Sequence, residues 1–156
     1  MPIKADLDET DWKILKELQD DGRMSNVELA AKIGISAPPC LRRVRRLEQL
    51  GIIKGYSALL SGKILGQDLV AFCSVSLHHQ AESDLKAFAE RANEWPFVRK
   101  AWMVSGESDF LLYCIAPDLS SFQTFVIECL TAAPNVDGVR TALTIKAVKD
   151  DPLLIL

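Results

Sequence analysis

The sequence predicts an α+β protein in two parts: three short helices, then a four-stranded antiparallel sheet with helices on one face. Three observations predict it. Residues 7–53 repeat apolar side chains at helical spacing with turn signals between them. Beyond residue 68 the order of patterns is strand, helix, strand, strand, helix, strand. Between the two lies "KGYSALLSGKILGQD", with glycines at 55, 62 and 66. The expected organisation is a helical domain at 1–53, a linker with one short strand at 54–68, and a second domain at 69–156.

Each element has a local reason. Asp8 can cap a helix running to Asp20, with Leu7 and Trp12 placed as a hydrophobic staple and Ile14, Leu15 and Leu18 as its buried stripe. "DDGR" ends it. Ser25 and Glu28 fit a capping box opening a second helix, whose Val27, Leu29, Ala30 and Ile33 are expected inward and which Gly34 stops. Ser36 starts a third helix, with Pro38 and Pro39 in the first turn, where a missing N–H costs little, and Gly51 beyond its end. Three helices with a tight turn at Gly34 outline a helix-turn-helix, winged-helix-like in type.

Charge singles out the third helix. The formal net charge is −3, yet residues 32–54 hold Lys32, Arg42, Arg43, Arg45, Arg46 and Lys54 against Glu48 alone. At about 100° per residue, Cys40, Val44, Leu47 and Leu50 share one face. Arg42, Arg45, Arg46 and Gln49 take the opposite face, with Arg43 at the margin. With Glu48 the only carboxylate on the helix, and nearer its core side, these arginines are expected to be unpaired until phosphates meet them. The implied partner is double-stranded DNA, with Ser36, Ala37, Pro38 and Pro39 nearest the base edges and the arginines on the backbone. Cys40 is expected in the core.

In the second part, strands are expected at 69–78, 97–105, 109–116 and 136–148, and helices at about 83–94 and 119–132. That βαββαβ order is the ferredoxin-like pattern. Val70, Phe72, Trp102 and Val104 would sit on the sheet face the helices leave open, so burial against a second copy of the chain is expected, with "LLIL" at 153–156 adding apolar surface. The four cysteines form no metal-binding spacing and are expected to be buried thiols, and adjacent His78 and His79 point to opposite faces. No catalytic constellation and no metal or cofactor site emerges. The acidic N-terminus and the absence of any long apolar run lead to an expected cytoplasmic, nucleoid-associated protein without a membrane partner.

The words "LDETDWKILKELQDDGRMSNVELAAKIGIS", "PPCLRRVRRLEQLGIIKGY" and "VSGESDF", in this order and spacing, resemble the Lrp/AsnC (feast/famine) regulators from Leu7 to Val148. The resemblance implies a transcriptional regulator that binds operator DNA, forms homodimers assembling into tetramers or octamers, and binds a small effector, usually an amino acid. The family's effector turn maps onto Gly106, Glu107, Ser108 and Asp109. Glycine-turn amides suit a carboxylate and Asp109 an ammonium group. Many relatives carry an aromatic residue where this chain has Ser108, and tyrosine where it has Phe110, so no particular amino acid is named. The alternatives are a regulator that needs no effector, or a ligand-binding assembly module without DNA binding.

Overall fold

In the computed structural model, which describes residues 6–149 and Leu154, every N-terminal helix starts where the sequence offers a cap. Helix α1 (Glu9–Asp20) opens on a reciprocal box between Asp8 and Asp11, and α2 (Asn26–Ile33) on one between Ser25 and Glu28. Gly34, at φ +76°, turns the chain into α3 (Ala37–Gln49), and Gly51, at φ +69°, follows the last turn. Both positions favour glycine because a Cβ crowds the left-handed backbone. The helices close on Ile14, Leu29, Ala30, Cys40 and Leu47, all buried. Val27 departs from expectation, being 69% exposed, because it lies about 200° around the helix from Leu29.

The chain divides into two compact units between Leu59 and Leu60. The second contains β1 (Leu69–Leu77), α4 (Glu82–Glu94), β2 (Val98–Met103), β3 (Phe110–Ala116), α5 (Leu119–Phe125) and β4 (Val136–Leu143). The antiparallel sheet has the order β2-β3-β1-β4, so the first and third strands are central, as the ferredoxin-like pattern requires. Burial alternates strictly along β3, and Ala71, Cys73, Val75, Leu112 and Cys114 pack under Phe88, Phe122, Phe125 and Leu130 of the helical layer.

Other expectations are corrected. Residues 54–68 form no strand, because a strand needs a hydrogen-bonding neighbour and this segment has none in the described chain. Strand β4 ends at Leu143 and not at 148: its partner β1 begins at Leu69, and the final bond runs from Thr144 N–H to Val70 O. Cys129 is exposed. After Phe125 the helix widens into a π-helical turn, Val126–Leu130, and the extra residue brings Leu130 to the core where α spacing would have placed Cys129. Leu154 belongs with the first unit, exchanging two hydrogen bonds with the Gln19 side chain at 2.7 and 3.1 Å. The rest of "LLIL" lies outside the described residues.

Candidate nucleic-acid interface and ligand loop

The start of α3 is built so that its cap residue cannot cap. An N-cap hydroxyl normally accepts from the amide two or three residues on. Here those positions are Pro38 and Pro39, which have no N–H, and Ser36 makes no side-chain cap bond. Its exposed hydroxyl stays available at the tip of the helix. Asn26 steadies that tip, its side-chain amide donating to Ala37 O at 2.9 Å. Cys40 is fully buried in the apolar face, and that burial pushes its thiol pKa up, away from the reactive thiolate.

The arginines separate into two sets, and this corrects the expectation that all are unpaired. Arg43 Nη1 donates to Asp8 Oδ2 at 2.7 Å and Asp11 Oδ1 at 2.8 Å. Arg46 reaches Asp11 Oδ2 at 3.2 Å through Nη1 and Asp6 O at 3.1 Å through Nη2. Asp11 is only 1% exposed, the one charged residue in the described core. Its backbone amide and then Arg43 hold the Asp8 carboxyl below the usual carboxylate range, and Asp11 followed by Asp8 raises the Arg43 guanidinium further. Lys32, counted in the basic stretch, pairs with Glu17 at 2.8 Å. Among the described residues, no carboxylate lies within salt-bridge distance of Arg42 or Arg45, and both are exposed, as is Gln49. The missed signal was the acidic start of α1: Asp8 is expected there only as a cap and Asp11 has no expected role, yet a capping carboxylate keeps a second oxygen for another donor.

In the expected ligand loop both carboxylates already have partners in their own chain. Gly106 turns at φ +128°. Asp109 joins β3 to both neighbours: its N–H donates to Val75 O at 2.9 Å, its carbonyl accepts from Val104 N–H at 3.0 Å, and its Oδ2 accepts from Leu77 N–H at 2.7 Å. Leu77 needs that acceptor because β1 and β4 shift register between Ser76 and Leu77. Glu107 O accepts from the Ser76 hydroxyl at 3.2 Å, and its carboxylate pairs with Arg140 at 3.1 Å. Ser108 is half-buried within this turn. The structure thus brings Gly106, Glu107, Ser108 and Asp109 together and adds Ser76, Leu77 and Arg140, which lie far away in sequence.

Beside this loop, the sheet face opposite the helices carries Val70, Phe72, Leu111, Tyr113, Ile115 and Trp102. Phe72 and Trp102 remain 36% and 44% exposed. His78 Nδ1 lies 3.0 Å from the Asp137 carboxylate, and no group of three His, Cys, Asp or Glu among the described residues is placed to hold a metal. No helix among them is long and apolar enough to cross a membrane.

Residues 7–54 match the winged helix-turn-helix DNA-binding model and residues 70–154 the Lrp/AsnC ligand binding domain. A leucine-responsive regulatory protein of Rhizobium meliloti is 66% identical over 150 residues, 96% of either chain. The protein of that name in Escherichia coli is 39% identical, covering 97% of this chain and 92% of its own. A transcriptional regulator from Neisseria meningitidis, solved as its L-Met complex, superposes with a TM-score of 0.90 at 37% identity, covering 96% of both.

Proposed function

From the premise that the chain belongs to the Lrp/AsnC family of ligand-responsive, DNA-binding transcription regulators, we propose how its own residues divide the work. A homodimer presents two α3 helices to successive major grooves of operator DNA. Ser36, Ala37, Pro38 and Pro39 lie nearest the base edges, and Arg42, Arg45 and Gln49 follow the phosphates. Arg43 and Arg46 orient the helix. The observation that carries this reading is the free flank of α3: an uncapped hydroxyl, two guanidiniums without a carboxylate partner among the described residues and an exposed amide on one side, with Cys40, Val44 and Leu47 turned to the core on the other.

Two copies would cover the open sheet face by packing Phe72, Tyr113 and Trp102 against their symmetry mates, since an apolar patch of this kind is costly to leave in water. Further assembly into tetramers or octamers builds on that dimer. The effector is an amino acid held at Gly106, Glu107, Ser108 and Asp109. Leucine and methionine are the first candidates, given the names of the relatives. A ligand that favours one assembly over another changes DNA affinity through that difference alone. The compartment that suits such a protein is the cytoplasm, at the nucleoid.

Fluorescence anisotropy with a labelled duplex from the promoter upstream of its own gene tests the reading, repeated with each amino acid added. Binding at nanomolar to micromolar concentration and a shift with at least one amino acid are expected. Indifference to duplex DNA at low salt removes the DNA half. Unaltered binding and an unaltered melting midpoint with all twenty amino acids remove the effector half. Trp102→Glu should lower the molar mass seen by light scattering; an unchanged mass would place the interface elsewhere.

A further inference from the structure

We propose that Asp11 is the positioning residue of the recognition helix, withdrawing Arg43 and Arg46 from DNA so that only Arg42 and Arg45 of the four arginines engage phosphates. The inference rests on the α3 reading above and specifies which charges take part. Asp8, Asp11, Arg43 and Arg46 form a cluster with two charges of each sign, tied by contacts of 2.7, 2.8 and 3.2 Å. At 1% exposure Asp11 has lost its water, and a buried carboxylate is tolerable only with full hydrogen bonding. It has three donors: Asp8 N–H, Arg43 and Arg46.

For Arg43 to turn its Nη1 onto a phosphate it would have to break its bonds to two carboxylates and leave buried Asp11 with only Asp8 N–H and Arg46 as donors. A single exposed phosphate contact does not repay that. Arg42 and Arg45 give up nothing among the described residues. The consequence is a limit on sequence-independent attraction. Each phosphate neutralised contributes about 0.9 to the slope of log affinity against log salt, equally on any duplex. Withdrawing two arginines therefore weakens random-sequence binding, while the tie to α1 keeps the tip of α3 in register for base contacts.

The test measures salt slopes for the full-length protein on its own upstream duplex and on a random duplex. Arg42→Gln and Arg45→Gln should each make the slope shallower by about 0.9 per bound helix. Arg43→Gln and Arg46→Gln should leave it unchanged while lowering the melting midpoint. Asp11→Asn, folded by circular dichroism, should steepen the slope and tighten random-duplex binding several-fold more than upstream-duplex binding. A merely structural Asp11 would lower stability without steepening any slope. Slopes that fall as far for Arg43→Gln or Arg46→Gln as for Arg42→Gln overturn the partition, as does an unchanged slope in folded Asp11→Asn. Should Asp11→Asn not fold, the glutamine series decides alone. If the upstream duplex binds and neither Arg42→Gln nor Arg45→Gln alters its slope, the α3 interface itself is wrong, and the partition falls with it.

Discussion

The recognition helix and the Gly106–Asp109 turn each carry charged residues suited to a ligand, and the chain has used them differently. On α3 the internal partners consume Arg43 and Arg46 and leave Arg42, Arg45 and the Ser36 hydroxyl over. In the turn both charged side chains are engaged: Asp109 with Leu77 N–H and the Glu107 carboxylate with Arg140, while the Glu107 carbonyl accepts from Ser76. A surface with unspent charge can take a long polyanion without rearranging. If the turn is the effector site proposed above, an incoming zwitterion has to compete with these partners, and such an exchange is what a responsive site requires.

The largest effect belongs to the buried end of the helical charge cluster. Asp11→Ala should cost about 2–4 kcal/mol, since it takes the buried carboxylate partner from two guanidiniums and removes one end of the α1 box. Urea denaturation measures it, and a loss below about 1 kcal/mol would mean that water already serves the arginines. The turn should respond less. Asp109→Ala leaves Leu77 N–H without its acceptor and should cost about 1–2 kcal/mol. Asp109→Asn retains a carbonyl oxygen there and should cost well under 1 kcal/mol. Both should abolish the amino acid shift in melting midpoint, because neither side chain carries the negative charge that forms an ion pair with an ammonium group. An effector shift surviving in Asp109→Asn would leave this carboxylate a strand staple and nothing more.

These cases show why some of the site was legible in sequence and some was not. Capping boxes, glycine stops and the period of buried residues are local, and α1, α2, α3 and the βαββαβ order all followed from them. Cys40 was placed in the core by the same angular count that placed the arginines outside it. Pairing across elements is not local. Nothing in "LRRVRRLEQ" tells Arg42 from Arg46; the acidic start of α1, more than thirty residues earlier, does so once the bundle closes. Cys129 failed for a related reason, since one inserted residue in a π-helical turn moves every later side chain to a new face. Likewise, Asp109 reads as a free carboxylate until the register shift at Leu77 provides the amide that claims it.

A smaller change should sharpen the contrast between spent and unspent charge. Glu107 and Arg140 are both more than four-fifths exposed, so breaking their pair should alter stability by no more than about 0.5 kcal/mol. Binding is where it should register. If Glu107 occupies the guanidinium that an incoming carboxylate seeks, Glu107→Gln should tighten amino acid binding about two- to fivefold, measured by calorimetry, and Arg140→Gln should weaken it. Equal affinity in all three proteins would place the effector's carboxylate on the turn amides alone.

Acid offers the mildest probe, and it distinguishes the two units. Among the described residues four carboxyls are held below their ordinary range: Asp8 by the Asp11 amide, Glu9 by Lys13, Glu28 by the Ser25 hydroxyl, and Asp118 by the Ser121 amide at the start of α5. A carboxyl whose folded pKa lies below its unfolded value stabilises the fold fully above the unfolded value, near pH 4, and loses that contribution as pH falls through the lower, folded one. Three of the four belong to the helical unit, and two of those, Asp8 and Glu28, close its capping boxes. The helical unit should therefore loosen first as pH falls from about 5 to 3, with both units unchanged between about 5 and 7. Hydrogen exchange followed by NMR can read this from the amides of Leu29 and Leu112, each deep in its own core. Loss of protection at Leu112 before Leu29 would mean that the sheet's acid sensitivity comes from groups other than Asp118. The caps of the recognition bundle would then count for less than their geometry indicates.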